Sequence, residues 1–152
     1  MTTAEKLALE VLDALNAGEI ERVGALVHED FVDHGAPPWA PQGRAGYLAI
    51  LGFVHSALKI SYEVHDVVAS GSRVAIRATA HGTHDVDFLG FEPTGKVYAM
   101  PTMHMYAERD GLLAEHWAVR DETRMLIEVG LLEAPKPIGL EGPTPIGPGA
   151  PS

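Results

Sequence analysis

The stretch that decides the fold is KVYAMPTMHMYAERDGLLAEHWAVRD, which runs from Lys96 to Asp121. Apolar and polar side chains alternate on both sides of Asp110-Gly111, a dipeptide that favours a tight turn between antiparallel strands. If these two residues form the loop, Arg109 lies opposite Leu112, and the numbers of facing residues sum to 221. We therefore predict a long β-hairpin in this part of the chain.

This register places His104 opposite Trp117 on one face of the hairpin. The same face carries the pairs Tyr106 with Glu115, Thr102 with Val119, and Met100 with Asp121. A three-residue loop with a bulge at Gly111 would shift the register by one and move His104 off the face of Trp117. Trp117 and Asp121 stay together under both registers, because they are four residues apart on one strand.

The second face of the hairpin is also apolar. It carries Met103, Met105, Ala107, Leu112, Ala114 and Ala118, together with His116 and Arg120. A sheet covered by helices on one side cannot bury both faces within one subunit. We therefore predict a homodimer, or a dimer of dimers, that packs through this second face. His116 and Arg120 are assigned to the interface or the surface.

Helical periodicity precedes the strands and follows them. Thr3 is the predicted cap of a first helix that ends at Gly18, and the later helical segments are EIERVGALV, RAGYLAILGFVHSAL and DETRMLIEVGLL. From Ile60 the period changes to two, and Gly71-Ser72 joins two further strands. Helices followed by hairpins indicate an α+β domain over residues 1–132, with one antiparallel sheet and the helices on one face.

Composition restricts the partners and the compartment. The 152 residues carry a net charge of −10 and no cysteine, which argues against nucleic acid, anionic membranes, disulfides and thiolate chemistry. No secretory signal or membrane-spanning run is evident, and we predict a cytoplasmic protein. Residues 133–152 are rich in proline and glycine and form a predicted tail, either disordered or lying as an arm on a neighbouring subunit.

Three motifs resemble the SnoaL-like polyketide cyclases, or ester cyclases, of the nuclear transport factor 2-like superfamily. They are HEDFVDHGAPPW at residues 28–39, GTHDVDFLGFEPTG at 82–95 and DGLLAEHWAVRD at 110–121. The resemblance covers most of residues 1–132. It implies a cone-shaped α+β fold, in which a curved sheet surrounds a pocket closed by the N-terminal helices. It also implies intramolecular aldol cyclisation of a polyketide without metal or cofactor.

By motif position, the resemblance implies that Asp121 is the acid/base, assisted by His104 and by the Asp33-His34 pair. Family cyclases can carry Asn beside the histidine, whereas this chain has Asp33. The residues themselves leave two roles open for Asp121. It is a good helix N-cap, and in an apolar pocket beside Trp117 its carboxylate would become a stronger base.

We expect catalysis from Asp121, His104 and His34. The predicted substrate contacts are Asp33, Trp39, Phe53, His84, Phe91, Met100, Trp117 and Met125. His81 and His84 are three apart on a strand and point to opposite faces, so we predict neither a metal nor a cofactor. Three functions stay open: acid/base cyclisation of a hydrophobic or polycyclic carbonyl compound, water addition or elimination in the same pocket, and binding without catalysis.

Overall fold

Four helices and five strands make up the computed structural model within residues 1–87 and 90–136, the part of the chain that it describes. In chain order these are α1 (Thr3–Ala17), α2 (Ile20–Val23), β1 (Val27–Asp33), α3 (Gly43–Ser56), β2 (Ser61–Ser70), β3 (Arg73–Thr83), β4 (Val97–Arg109), β5 (Leu112–Arg120) and α4 (Glu122–Glu128). Most of the predicted tail, from residue 137 onward, lies outside the described residues. No helix in these ranges combines the length and apolarity needed to cross a bilayer.

The strands form one curved sheet in the order β1-β5-β4-β3-β2. The predicted hairpins β2-β3 and β4-β5 are present, and β3 pairs antiparallel with β4. The expectation of a wholly antiparallel sheet is wrong at β1, which pairs parallel to β5. The partner of β1 is far away in sequence and is chosen by packing, so local sequence pattern does not reveal this pairing.

The first helix and α3 cover the inner face of the sheet. The core between them includes Val11, Leu12, Leu15, Phe31, Tyr47, Val74, Ile76 and Tyr106. The cap of α1 is Thr2 and not the predicted Thr3, because the Thr2 hydroxyl accepts from the Glu5 backbone N–H at 3.1 Å. Gly18 ends α1 in the left-handed region, as predicted.

The β4-β5 hairpin begins in the predicted register and then changes it. Asp110 and Gly111 both have positive φ, of 53° and 81°, as a two-residue hairpin loop requires. Arg109 pairs with Leu112 as expected, but Ala107 pairs with Glu115. A bulge therefore leaves Ala114 without a partner. Farther from the turn, the residue numbers of each facing pair sum to 222.

The bulge decides which side chains face the helices. His104 lies opposite Ala118, and Trp117 lies opposite Met105 on the outer face, so the predicted His104-Trp117 pair is wrong. His116 comes instead to the inner face, where it is 3% exposed. The assignment of His116 to an interface or the outer surface is therefore also wrong, whereas the half-buried Arg120 borders both an internal cavity and a groove on the outer face.

Candidate active site

Asp33 reaches the interior because it ends a strand that alternates. Phe31 and Asp33 are buried, whereas Val32 between them is exposed. The parallel pairing of β1 with β5 then sets Asp33 beside His116. In this way a carboxylate from one edge of the sheet meets an imidazole from the neighbouring strand.

A chain of hydrogen bonds runs from Asp33 into the sheet. Asp33 Oδ1 lies 2.8 Å from His116 Nδ1, and His116 Nε2 lies 3.0 Å from His104 Nδ1. His104 Nε2 lies 3.0 Å from the Thr102 hydroxyl oxygen, which in turn is 2.9 Å from the Ala78 carbonyl oxygen. All four side chains are buried. We call Asp33, His116, His104 and Thr102 the proton chain.

Aromatic rings hold the two imidazoles in place. Tyr106 stacks on His116 at 4.5 Å between ring centroids, and the edge of Tyr62 meets His104 at 5.2 Å. The hydroxyl of Tyr47, from α3, lies 3.2 Å from that of Tyr106. The rings limit the rotation of the imidazoles, so the geometry of the proton chain is set before any ligand binds.

Burial controls the charge of these groups. It lowers the pKa of His104 to about 3, and a positive charge on His116, where present, and the charge of Arg120 act in the same direction. Burial also lowers the pKa of His116, against the opposing effect of Asp33. For Asp33 burial acts to raise the pKa, but the hydrogen bonds from His116 and the Gly35 N–H outweigh it, and the pKa is lowered. At neutral pH the chain thus contains a carboxylate and two neutral imidazoles.

A cavity of about 140 Å³ opens next to Asp33 between α3, the proline-rich loop and the sheet. Its lining is mostly apolar and includes Trp39, Ile50, Phe53, Leu58, Met100 and Met125. An apolar cavity of this size is comparable to one of about 150 Å³ that accepts a benzene ring. A smaller cavity of about 30 Å³ reaches His104 and His116, and both cavities are lined by Asp33, Tyr62 and Arg120.

Arg120 is the cation of the site. Its Nη1 donates to the Gly35 carbonyl at 2.9 Å, and its charge helps to lower the pKa of Asp33. A guanidinium has five N–H donors, so donors remain for an oxygen atom of a ligand. Gly35 is required for this contact, because a Cβ there would lie 2.9 Å from Ala118.

Asp121 lies apart from this cluster. It is exposed, and its carboxylate accepts from the Arg124 backbone N–H at 3.0 Å as the cap of α4. It borders a groove on the outer face, together with Met103 and Val119. Trp117 and Asp121 therefore share a face as predicted, but that face is turned away from the cavity. The catalytic role of Asp121 stays a prediction.

His34 and Trp117 also lie outside the cavity. Their rings stack at 4.8 Å between centroids, and His34 Nε2 lies 2.8 Å from a carboxylate oxygen of Glu115.

His84 and Phe91 are absent from the walls of the described cavities. His84 is buried, and its Nδ1 accepts from the Thr94 N–H at 3.2 Å. The roles predicted for these residues have no support from their positions.

Five predicted contact residues do line the cavity, namely Asp33, Trp39, Phe53, Met100 and Met125. The sequence prediction missed His116, Arg120 and Tyr62. A usable signal was the run Leu112-Leu113-Ala114, which breaks the period of two and is typical of a bulge. Within the described ranges, no group of three or more His, Asp or Glu side chains is arranged to bind a metal ion.

The comparisons with known proteins agree with this architecture. The family model for SnoaL-like polyketide cyclases matches residues 5–128. IdmH from Streptomyces antibioticus, a proposed polyketide cyclase, is 32% identical with a TM-score of 0.72, over 84% of this chain and 98% of its own. AclR from Streptomyces galilaeus, a proposed hydroxylase, is 25% identical with a TM-score of 0.73, over 86% and 87% of the two chains.

TsrD from Streptomyces laurentii is 23% identical with a TM-score of 0.77, over 86% of this chain and 96% of its own, and supports the fold alone. No curated protein matched the chain. The family match spans both hairpins and the helices that cover the inner face. With the cavity, the sheet and the matched residues in agreement, the chain belongs to the SnoaL-like polyketide cyclase family.

Proposed function

We propose that the protein is a cofactor-independent acid/base enzyme that acts on a hydrophobic carbonyl compound, with aldol-type cyclisation as the reaction. The observation that carries the proposal is the buried Asp33-His116 pair at the wall of an apolar cavity that also contains Arg120. Family membership supports small-molecule chemistry of this kind.

In this proposal Asp33 is the base. Its Oδ1 accepts hydrogen bonds from His116 and from the Gly35 N–H, which leaves Oδ2 for a substrate. Asp33 Oδ2 removes a proton from the carbon next to a carbonyl group, and the C–H electron pair moves onto the carbonyl oxygen as an enolate. The enolate carbon then attacks a second carbonyl carbon of the same molecule and closes a ring.

Arg120 is placed to stabilise the oxygen on which charge develops. It borders the same cavity as Asp33, and a guanidinium in a site that excludes water stabilises an oxyanion more than it does in bulk water. The ring systems of a polycyclic substrate would lie on the apolar wall formed by Phe53, Met100 and Met125.

A second reaction type is supported by the smaller cavity. Its volume of about 30 Å³ is sufficient for a water molecule next to Asp33 and the two histidines. A carboxylate beside such a water would serve epoxide opening, hydration or elimination. Binding without catalysis is the third possibility, and turnover of a substrate would exclude it.

Isotope exchange tests the proposal without requiring the natural product. In D₂O, the wild-type protein with a polycyclic β-diketone should introduce deuterium at the carbon between the carbonyl groups. Arg120→Gln should slow this exchange by about 100-fold, as expected for loss of one oxyanion donor. The matched control is Arg77→Gln, which removes an exposed outer-face arginine and should leave the rate unchanged.

Two results would contradict this reaction. One is an exchange rate equal to that without protein. The other is equal exchange by the Arg120→Gln and Arg77→Gln variants. Product that gains oxygen-18 from labelled water, with no exchange at carbon, would favour the water-dependent chemistry instead.

We also propose that the outer face of the sheet joins two copies of the chain. Its exposed apolar residues are Val68, Met103, Met105 and Val119, beside the half-buried Trp117. This set replaces the predicted face, because the bulge turns Ala118, His116 and Arg120 inward. A continuous apolar strip on a sheet is typical of subunit contacts.

Light scattering coupled to size exclusion should give a dimer or tetramer for the wild type. Met103→Glu should shift it to a monomer, because a carboxylate would be buried unpaired at the contact. Leu132→Glu, at an exposed apolar residue after α4, is the control and should not change the mass. A monomeric wild type would rule out the assembly.

A further inference from the structure

Thr102 stands at the buried end of the proton chain, where its single hydroxyl hydrogen has two possible acceptors. The hydroxyl oxygen lies 2.9 Å from the Ala78 carbonyl oxygen and 3.0 Å from His104 Nε2. It can donate to the carbonyl while accepting from His104, or it can donate to His104. We propose that Thr102 is a positioning residue that switches between these two states and so allows the chain to take up and release one proton.

The state without the extra proton is fixed by the Asp33 carboxylate. His116 must donate from Nδ1 to Asp33, because two bare acceptors at 2.8 Å would repel. His116 Nε2 is then bare and accepts from His104 Nδ1–H. His104 Nε2 is bare in turn, and the Thr102 hydroxyl donates to it. All donors therefore point from Thr102 toward Asp33.

Uptake of a proton reverses the direction of the inner hydrogen bonds. An incoming proton is added at His104 Nε2, next to the small cavity, and His104 passes its Nδ1 proton to His116 Nε2. His116 then carries hydrogens on both nitrogens, its Nε2–H donates to the bare Nδ1 of His104, and His104 stays neutral with its hydrogen on Nε2. That Nε2–H needs an acceptor as well. Thr102 supplies it when its hydroxyl turns to donate to Ala78. No group in the chain is left unpaired after the change.

The catalytic importance of this switch rests on the proposed function, because a positive charge on His116, which donates to Asp33, changes how strongly the Asp33 carboxylate holds a substrate proton. The switch itself is a property of the free protein. Titratable and charged groups facing the two imidazoles come from several elements, namely Asp33 and His34 from the end of β1, Tyr47 from α3, Tyr62 from β2, Tyr106 from β4 and Arg120 from β5. Burial raises the pKa of all three tyrosines, which therefore stay neutral.

Nitrogen-15 NMR of the histidine rings tests the switch and needs no substrate. In the wild type, His104 should carry its hydrogen on Nδ1 at high pH and on Nε2 once His116 has gained its proton. In Thr102→Val, a side chain of the same shape, His104 should keep the Nδ1–H form throughout the titration. His116 should accept its proton at a pH at least one unit lower. Thr102→Ser should restore both wild-type behaviours.

The inference is overturned if wild-type His104 keeps one tautomer down to the pH of acid unfolding, or if the valine variant inverts as the wild type does. If the valine variant fails to fold, the wild-type and Thr102→Ser proteins provide the test, because in both the His104 hydrogen must move from Nδ1 to Nε2. Loss of the inversion in the serine variant would also overturn it. Normal tautomer inversion in a protein that does not exchange α-protons would reject the proposed reaction and leave the switch intact.

Discussion

Replacing Asp33 by Asn is expected to lower kcat/KM by about 1,000-fold, the middle of the range for loss of a general base. The amide oxygen can still accept from His116 and from the Gly35 N–H, so the turn after β1 should be retained. The amide has no basic oxygen for a substrate proton. The measurement is steady-state kinetics on a substrate that the wild type converts, with circular dichroism to verify folding.

Asp121→Asn is the matched variant, and it distinguishes the cavity carboxylate from the one implied by the family motif. Asn is as good a cap as Asp, so α4 should be preserved. We expect activity within a few-fold of wild type. If Asp121→Asn abolished turnover while Asp33→Asn did not, the base would be Asp121, and the assignment made from the cavity would be wrong.

The second large effect expected is loss of stability in acid through His104. Its pKa is about 6.5 when unfolded and about 3 when folded, so the unfolded chain binds a proton that the folded protein excludes. Its contribution is complete above about pH 6.5 and is lost as the pH falls toward the folded value. Between about pH 6.5 and pH 4 the free energy of unfolding should fall by roughly 3 kcal/mol, at about 1.4 kcal/mol per pH unit over most of this range.

Urea unfolding at a series of pH values measures this dependence. His104→Gln keeps a side chain that can accept from or donate to Thr102 but does not titrate, so its free energy of unfolding should fall less steeply with acid, by about 1.4 kcal/mol per pH unit. His81→Gln, which removes an exposed histidine of β3, is the control and should follow the wild type. Equal slopes for His104→Gln and wild type would show that His104 is not held neutral.

Much of the fold was accessible from sequence because its signals are local. Asp110-Gly111 and the Gly71 turn fix two hairpins, and Gly18 ends α1 where the periodicity stops. The parallel place of β1 was not predictable in this way, since nothing near Val27 indicates that it pairs with Leu113. Such long-range pairing is decided by which edge of the sheet can bury Phe31.

The site was predicted only in part, because the positions of its strand residues depend on the register of the β4-β5 hairpin. Residues of the irregular loop and the helices, such as Trp39 and Met125, do lie at the cavity wall, and their positions do not depend on strand register. His104 was chosen correctly as a buried histidine, but its partner was not. A one-residue change of register moves every strand side chain to the opposite face of the sheet. The prediction therefore placed Trp117 on the inner face and His116 on the outer face.

Ala114 is the extra residue of the β5 bulge, and it reverses which face each later side chain of the strand occupies. Every side chain after it lies on the face opposite to the one that strict alternation would give, so one residue with only a methyl group determines which side chains of β5 line the cavity. In a relative lacking this residue, the same strand would turn Trp117 and Val119 toward the helices, and the lining would contain no imidazole from β5. Within such a scaffold, a single-residue insertion or deletion exchanges the imidazole that β5 contributes to the interior for an indole.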